Sequence, residues 1–270
     1  MKTAIFCVNY NSYQELDSFL RTIESAEENS GSGNSVTVVV ADNSEKPESY
    51  SYSGKLDVSV IPTNANLGYF GGISFGIEQS GLVLSDFDFI IVSNVDLLLP
   101  KDFFSKLYSE KIDVNVGCIA PSIISKGEGI NRNPKVLTRY STKKLKMLKT
   151  MFQFPILWKT YNSLLHGKRR EKVQSENTTE RDIYAAHGSF MLFTNRFSDF
   201  LQSMKFPTFM FCEELFIAEN LRKQNLRTVY KPQLIVNDID HVSTSKMKSS
   251  FYFKCNYESL DMILKEHYSE

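Results

Sequence analysis

Three short polar clusters interrupt apolar runs in the first hundred residues. Asn9-Tyr10-Asn11 follows "TAIFCV", Asp42-Asn43-Ser44 follows "VTVVVA", and Asn94-Val95-Asp96 follows "FDFIIVS". Asn and Asp side chains suit hydrogen bonding to a base edge and a ribose, and Tyr10 adds a ring for stacking. A fourth cluster, Glu213-Glu214, opens a helical run after "FPTFMFC". Carboxylates can grip a hard cation or take a proton from a hydroxyl, but one carboxylate cannot do both at once. The glycines at 68, 71 and 72 would let backbone approach a ligand closely.

These residues need a frame that brings them together. The runs at 3–8, 36–41, 56–61 and 87–93 read as buried strands, and the turn and helix signals between them predict a mostly parallel sheet covered by helices. Ser12-x-x-Glu15 spells a capping box, and Leu16, Phe19, Leu20 and Ile23 supply one apolar helical face. Further strands are expected at 116–124 and 188–194. A helix is expected over 213–225 with Asn225 as its C-terminal cap, and a strand pair or extended run over 227–238. In open α/β sheets ligands sit beyond the carboxyl ends of the strands, so the three strand-end clusters should share one crevice. The first turn, "VNYNS", has no glycine, which excludes a Rossmann dinucleotide site, and no Gly-Lys-Ser/Thr follows the later glycines as a Walker A loop requires.

A chain of 270 residues, 42% of them hydrophobic, can bury a sizeable core. No stretch approaches the roughly 18 to 20 apolar residues of a membrane span, and the N-terminus enters strand-like sequence directly, so a cytoplasmic protein is expected. Cys7, Cys118, Cys212 and Cys255 lack metal-site spacing and read as buried free thiols. Charge is balanced overall yet unevenly placed. Residues 131–172 carry 12 Lys or Arg against one acid, Glu171, so this segment is +11 and the remainder −11. The basic segment has two readings. It is either a face that docks on an anionic membrane surface, or a solvated helical hairpin that covers the sheet or forms an oligomer contact, with Pro155 breaking its helix.

The strings "VNYNS", "VVVADNS", "NANLGYFGG", "IIVSNVD" and "FMFCEELFIAENLRKQN", in that order, resemble the successive motifs of the family 2 inverting glycosyltransferases, particularly the rhamnosyltransferase-like branch. The resemblance covers residues 3–125 and 185–242 and leaves the basic segment outside. It implies a GT-A nucleotide-diphospho-sugar transferase fold in a single domain. Residues 1–125 would form the nucleotide-sugar half, 131–180 a basic helical insertion, and 185–270 the acceptor and catalytic half.

By that resemblance Asn9, Tyr10, Asp42, Asn43, Asn66, Gly68 and Asn94 line the donor nucleotide. Asp96 takes the Asp-x-Asp position and holds Mg2+ or Mn2+, with His241 joining the metal shell. Asn94 replaces the first Asp of that motif, which leaves one charge fewer for the cation. Glu214 matches the family's catalytic base and Glu213 its neighbour, while His187 and Gly188 fall on the acceptor side. The implied reaction moves a sugar from a UDP- or dTDP-linked donor to a hydroxyl of a surface polysaccharide or lipid-linked glycan, at the inner face of the membrane if the basic segment docks there. The processive Gln-x-x-Arg-Trp motif is missing, since the only Trp, Trp158, follows Ile-Leu, so one sugar per encounter is expected.

Two other classes stand beside this one. A sugar nucleotidyltransferase would need a Gly-rich first turn with nearby Arg or Lys, which "CVNYNSYQ" does not offer. A nucleic-acid-binding module would use the basic segment and show steep salt dependence, but the acidic remainder opposes a broad basic face, so no nucleic-acid partner is expected.

Overall fold

The computed structural model describes residues 1–158, 179–239 and 248–269. In chain order the elements are β1 (Lys2–Asn9), α1 (Tyr13–Glu28), β2 (Ser35–Asp42), β3 (Asp57–Pro62), α2 (Tyr69–Ser80), β4 (Phe89–Asn94), the two-residue β5 (Leu97–Leu98), α3 (Phe103–Ser109), β6 (Val116–Ser125), α4 (Thr142–Gln153), β7 (Arg181–Ile183), β8 (Phe190–Thr194), α5 (Ser198–Ser203), α6 (Glu213–Lys223), β9 (Arg227–Asp238) and α7 (Ser249–His267).

Strand order is β3-β2-β1-β4-β8-β6-β9-β5, with β7 added on β9. Side chains alternate across the strands and feed a core on each face. Ala4 and Phe6 of β1, Ile90 and Val92 of β4, and Met191 and Phe193 of β8 pack with residues of α2, α6 and α7. Ile5, Cys7, Ile91, Phe190 and Leu192 pack on the opposite face with Leu16, Phe19 and Leu20 of α1 and Phe103 and Phe104 of α3. Burial on both faces explains why these strands read as unbroken apolar runs.

The parallel expectation holds from β3 to β4. Beyond them the sheet is mixed, because β8 lies antiparallel to both β4 and β6. β8 enters beside β4 at residue 190, opposite Ser93 near the carboxyl end of β4, and from that rim it can only run back down the sheet. The last strand is one element rather than a pair. Its register against β6 shifts beyond Lys231, at Pro232, which has no N–H for the ladder.

Three local expectations need correction. The capping box does not form: Ser12 Oγ donates to the Tyr10 carbonyl at 3.2 Å, and the Ser12 N–H goes to Asn9 Oδ1 at 3.1 Å instead of to Glu15. The C-terminal helix α7 had no counterpart in the sequence reading. α6 ends at Lys223 with Gln224 as its cap, two residues short of the expected end, and Asn225 follows the cap, left-handed at φ 58° with its N–H on the Arg222 carbonyl.

α4 stops at Gln153, two residues before Pro155, and lies on α7. Lys149 binds Asp261, and the Phe152 ring meets Phe253, Tyr252 and Trp158. Residues 159–172 of the basic segment lie outside the described residues, but this part of it packs as a helical cover. No described helix is long and apolar enough to cross a membrane.

Candidate active site

At the carboxyl ends of the central strands, Asn9 stands opposite Asp42, and Val8 opposite Asn94. Asp42 is buried and fully engaged. Oδ1 accepts from Asn9 Nδ2 (3.0 Å), the Ser44 N–H (3.1 Å) and Ser44 Oγ (2.6 Å), while Oδ2 accepts from the Tyr13 hydroxyl (2.7 Å). Asn9 and Asp42 therefore cross-link the ends of β1 and β2 and hold the loops above them. Tyr13, which sequence reasoning passed over, also accepts the Glu48 N–H at 2.8 Å and places its ring 5.9 Å from that of Tyr50. Its position in the first turn of α1, four residues past Asn9, was the available signal. Tyr10 is exposed.

Asn43 Nδ2 donates to the Gly68 carbonyl at 2.8 Å, and Asn43 Oδ1 is buried with no hydrogen-bond partner among the described residues. The exposed Asn66 turns back, its Oδ1 accepting the Gly68 N–H at 3.0 Å. Gly68 sits at φ 74°, ψ −175°, a region essentially reserved for glycine. A Cβ there would lie 1.9 Å from the Phe209 carbonyl oxygen. Gly68→Ala must therefore push α2 away from the loop leading to α6, and a loss of about 2 kcal/mol or more in unfolding free energy is expected by chemical denaturation.

The stretch that carries Asp96 is held by its backbone. The Asn94 N–H binds the Ser189 carbonyl at 2.9 Å, the Asp96 carbonyl accepts the Ile239 N–H at 3.2 Å, and Leu97 pairs with Asp238. The Asp96 side chain is half-buried. The end of β9 thus passes directly beside Asp96, and His241, three residues beyond that end, lies outside the described residues. Among the described residues no three His, Cys, Asp or Glu side chains gather tightly enough to hold a metal ion by themselves.

Glu213 and Glu214 begin α6 after Phe211 and Cys212, two consecutive left-handed residues at φ 74° and 64°. That sharp turn brings the Phe211 N–H onto Glu213 Oε1 at 2.9 Å. Glu213 is 7% exposed, and burial, reinforced by the charge of Glu214, pushes its carboxyl up to about 8. Glu213 is the more buried of the pair, and it keeps its proton at neutral pH.

Tyr69, at the start of α2, reaches the loop before β8. Its hydroxyl donates to the Gly188 carbonyl at 2.9 Å, and a Cβ on Gly188 would lie 3.8 Å from Glu214 Oε2. Burial raises the Tyr69 hydroxyl well above its ordinary range, and the charges of Glu213 and Asp96 both add to the rise. Carboxylates from opposite ends of the chain therefore bear on one tyrosine. Cys212, half-buried beside the two glutamates, is likewise pushed up by burial and their charge.

His187 completes this side. Its Nδ1 accepts the Ser189 N–H at 3.2 Å and lies 2.9 Å from Ser189 Oγ, while its own N–H reaches Asn133 Oδ1 at 2.8 Å. Burial, then the charges of Lys135 and Arg132, hold the imidazole well below its usual pKa. With Nδ1 accepting, this hydrogen-bond pattern assigns the ring proton to Nε2. Ser189, Asn133 and Lys135 were not singled out from sequence, because they act through the loop over which residues 131–136 meet residues 185–187.

The profile of Glycosyl transferase family 2 matches residues 5–183. A curated relative, the low-salt glycan biosynthesis hexosyltransferase Agl10 of Haloferax volcanii, is 24% identical over 224 residues, which are 83% of this chain and 62% of that protein. The chain thus spans less than two thirds of that relative's length. Among solved structures, GalNAc-T7 crystallised with UDP, GalNAc and Mn2+ superposes with a TM-score of 0.60 at 12% identity, over 99% of this chain and 49% of the other. Residues 1–349 of S. aureus TarS superpose with a TM-score of 0.54 at 10% identity, over 98% of this chain and 72% of the other. The fold is the GT-A fold expected from the motifs, and the chain belongs to glycosyl transferase family 2.

Proposed function

We propose that the chain is an inverting, non-processive glycosyltransferase that moves a sugar from a UDP- or dTDP-linked donor to a hydroxyl of a surface polysaccharide or lipid-linked glycan. One observation carries this reading: the charges of Asp96 and Glu213 are both felt at the Tyr69 hydroxyl, which donates to the carbonyl of Gly188, the residue beside Glu214. Displacing a nucleoside diphosphate needs positive charge at the departing phosphate and a base on the opposite face of the sugar, and opposite faces mean inversion. The donor set suits a hard cation: the Asp96 carboxylate and the Asn94 amide oxygen stand at one strand end, and His241 follows the chain that passes Asp96. A bound Mg2+ or Mn2+ would neutralise charge on the leaving diphosphate. The Mn2+ and UDP of GalNAc-T7 support this class of partner, and the named activity of the Haloferax relative supports a hexose donor.

Glu214 is the base. It lies against Gly188, while Glu213 holds its own proton and its Oε1 is committed to the Phe211 N–H. His187 offers an Nε2–H donor to an acceptor or sugar hydroxyl. Asn9, Asp42 and Asn43 shape the nucleotide end, with Tyr10, Tyr13 and Tyr50 around its mouth. Contact with a membrane surface would fall to the outward, lysine-bearing face of α4, since its inner face lies on α7.

A thermal-shift panel of UDP-, dTDP- and GDP-sugars with and without Mn2+ tests the reading. A saturating donor at about 100 times its Kd stabilises by about 2.7 kcal/mol, a rise of several degrees for a chain of this size. The rise should come with a uridine or deoxythymidine donor and grow with Mn2+. A flat response to all of them would end the proposal.

A further inference from the structure

Lys135 stands on a segment braced on both sides. Asn131 Oδ1 accepts the N–H groups of Ile123 and Asn133, each at 3.0 Å, and its Nδ2 donates to Ser122 Oγ (3.0 Å) and the Tyr230 hydroxyl (2.9 Å). Asn133 is wholly buried, donating to the Pro121 carbonyl at 2.8 Å and receiving the His187 N–H at 2.8 Å. Val136 exchanges hydrogen bonds with Ala185 at 3.1 and 3.0 Å. Lys135 lies between these anchors and is exposed. The other cation of this short run, Arg132, is neutralised by Asp238 and Glu128. Lys135 makes no ion pair among the described residues, although its charge is felt at His187, Cys212 and Glu213. Lys135 is thereby carried next to His187, whose N–H is held by Asn133 two residues before Lys135, on the Glu213 side of the site.

A flexible lysine loses entropy when it is fixed on a partner, and a braced backbone lowers that cost. An exposed ammonium with no ion pair among the described residues, carried by such a backbone next to His187, is built to meet an anion that arrives with the substrate. We propose that Lys135 recognises an anionic group, a phosphoryl or a carboxylate, on the acceptor. This rests on the transferase reading above. A lysine that only screened the two glutamates would affect neutral and anionic acceptors alike, and that difference decides the test.

Three probes are titrated by calorimetry at low salt into the full chain saturated with the nucleoside diphosphate of the donor that gives the largest thermal shift, which leaves no sugar to transfer: farnesyl-diphosphoryl N-acetylglucosamine, phenyl β-glucuronide and the neutral phenyl β-glucoside. One anionic probe should bind about tenfold or more tighter than the glucoside, and which of the two does so tells phosphoryl from carboxylate. Lys135→Ala should abolish the preference, Lys135→Glu should reverse it, and Lys135→Arg should keep it, with glucoside affinity unchanged throughout. No anionic preference in the wild-type chain, including no binding of either anionic probe, overturns the proposal, as does a preference that survives in Lys135→Ala. The donor-induced thermal shift is measured on the same samples and should be equal in all variants. Its absence from the wild-type chain would remove the transferase reading itself, a result distinct from loss of anion preference.

Discussion

Glu214→Gln should leave the donor-induced rise in melting temperature intact and lower the rate of sugar transfer by about 10²- to 10⁴-fold, the usual worth of a positioned general base. The substitution preserves size and hydrogen-bonding shape, so what it removes is the capacity to accept a proton. Glu213 cannot take over. It is almost wholly buried, its Oε1 is tied to the Phe211 N–H, and it holds its proton up to about 8. Cys212 is an equally poor substitute, because burial and the adjacent carboxylates keep its thiol protonated. Initial rates with a radiolabelled donor, measured beside the thermal shift, check both halves of the expectation. Undiminished transfer would move the base elsewhere.

Asp96→Ala should remove the Mn2+-dependent part of the donor shift and reduce transfer by about 10²- to 10⁴-fold, since several kcal/mol of charge stabilisation correspond to tenfold for each 1.36 kcal/mol. The fold should survive. The stretch is held by the Asp96 carbonyl on the Ile239 N–H and by the pairing of Leu97 with Asp238, both of which are backbone contacts. A melting temperature close to wild type without donor, together with the same small donor shift whether or not Mn2+ is present, is the expected pattern. A full Mn2+-dependent shift in this variant would mean that the cation is gripped by other residues. The two variants separate the two roles: one loses chemistry with binding kept, and the other loses the cation's share of binding.

Asn9, Asp42, Asn94 and Asp96 were legible because each ends an apolar run, and parallel strands buried on both faces bring such ends to one edge. The Glu213-Glu214 pair was legible as the opening of a helix. What the Asn9 and Asp42 side chains do there was not legible: in the folded chain they bind each other and the turn, leaving Asn43, Tyr13 and Tyr50 as further groups at that edge. The failed capping box has the same cause, since Asn9 Oδ1 takes the N–H that Glu15 would have claimed. A local pattern was overruled by a group that the sheet carries to the spot.

Sequence alone determined the family, the strand-end clusters and the two carboxylate stations, because these depend on residue type and on contacts within a few positions. Tertiary structure decided that β8 enters antiparallel at the rim, that Tyr69 meets Gly188 across 119 positions, that Glu213 rather than Glu214 is the buried member of its pair, and that the loop carrying Lys135 is braced against Ala185 and His187. Those outcomes depend on burial and on hydrogen bonds between distant segments, and neither exists until the sheet has closed over its two cores.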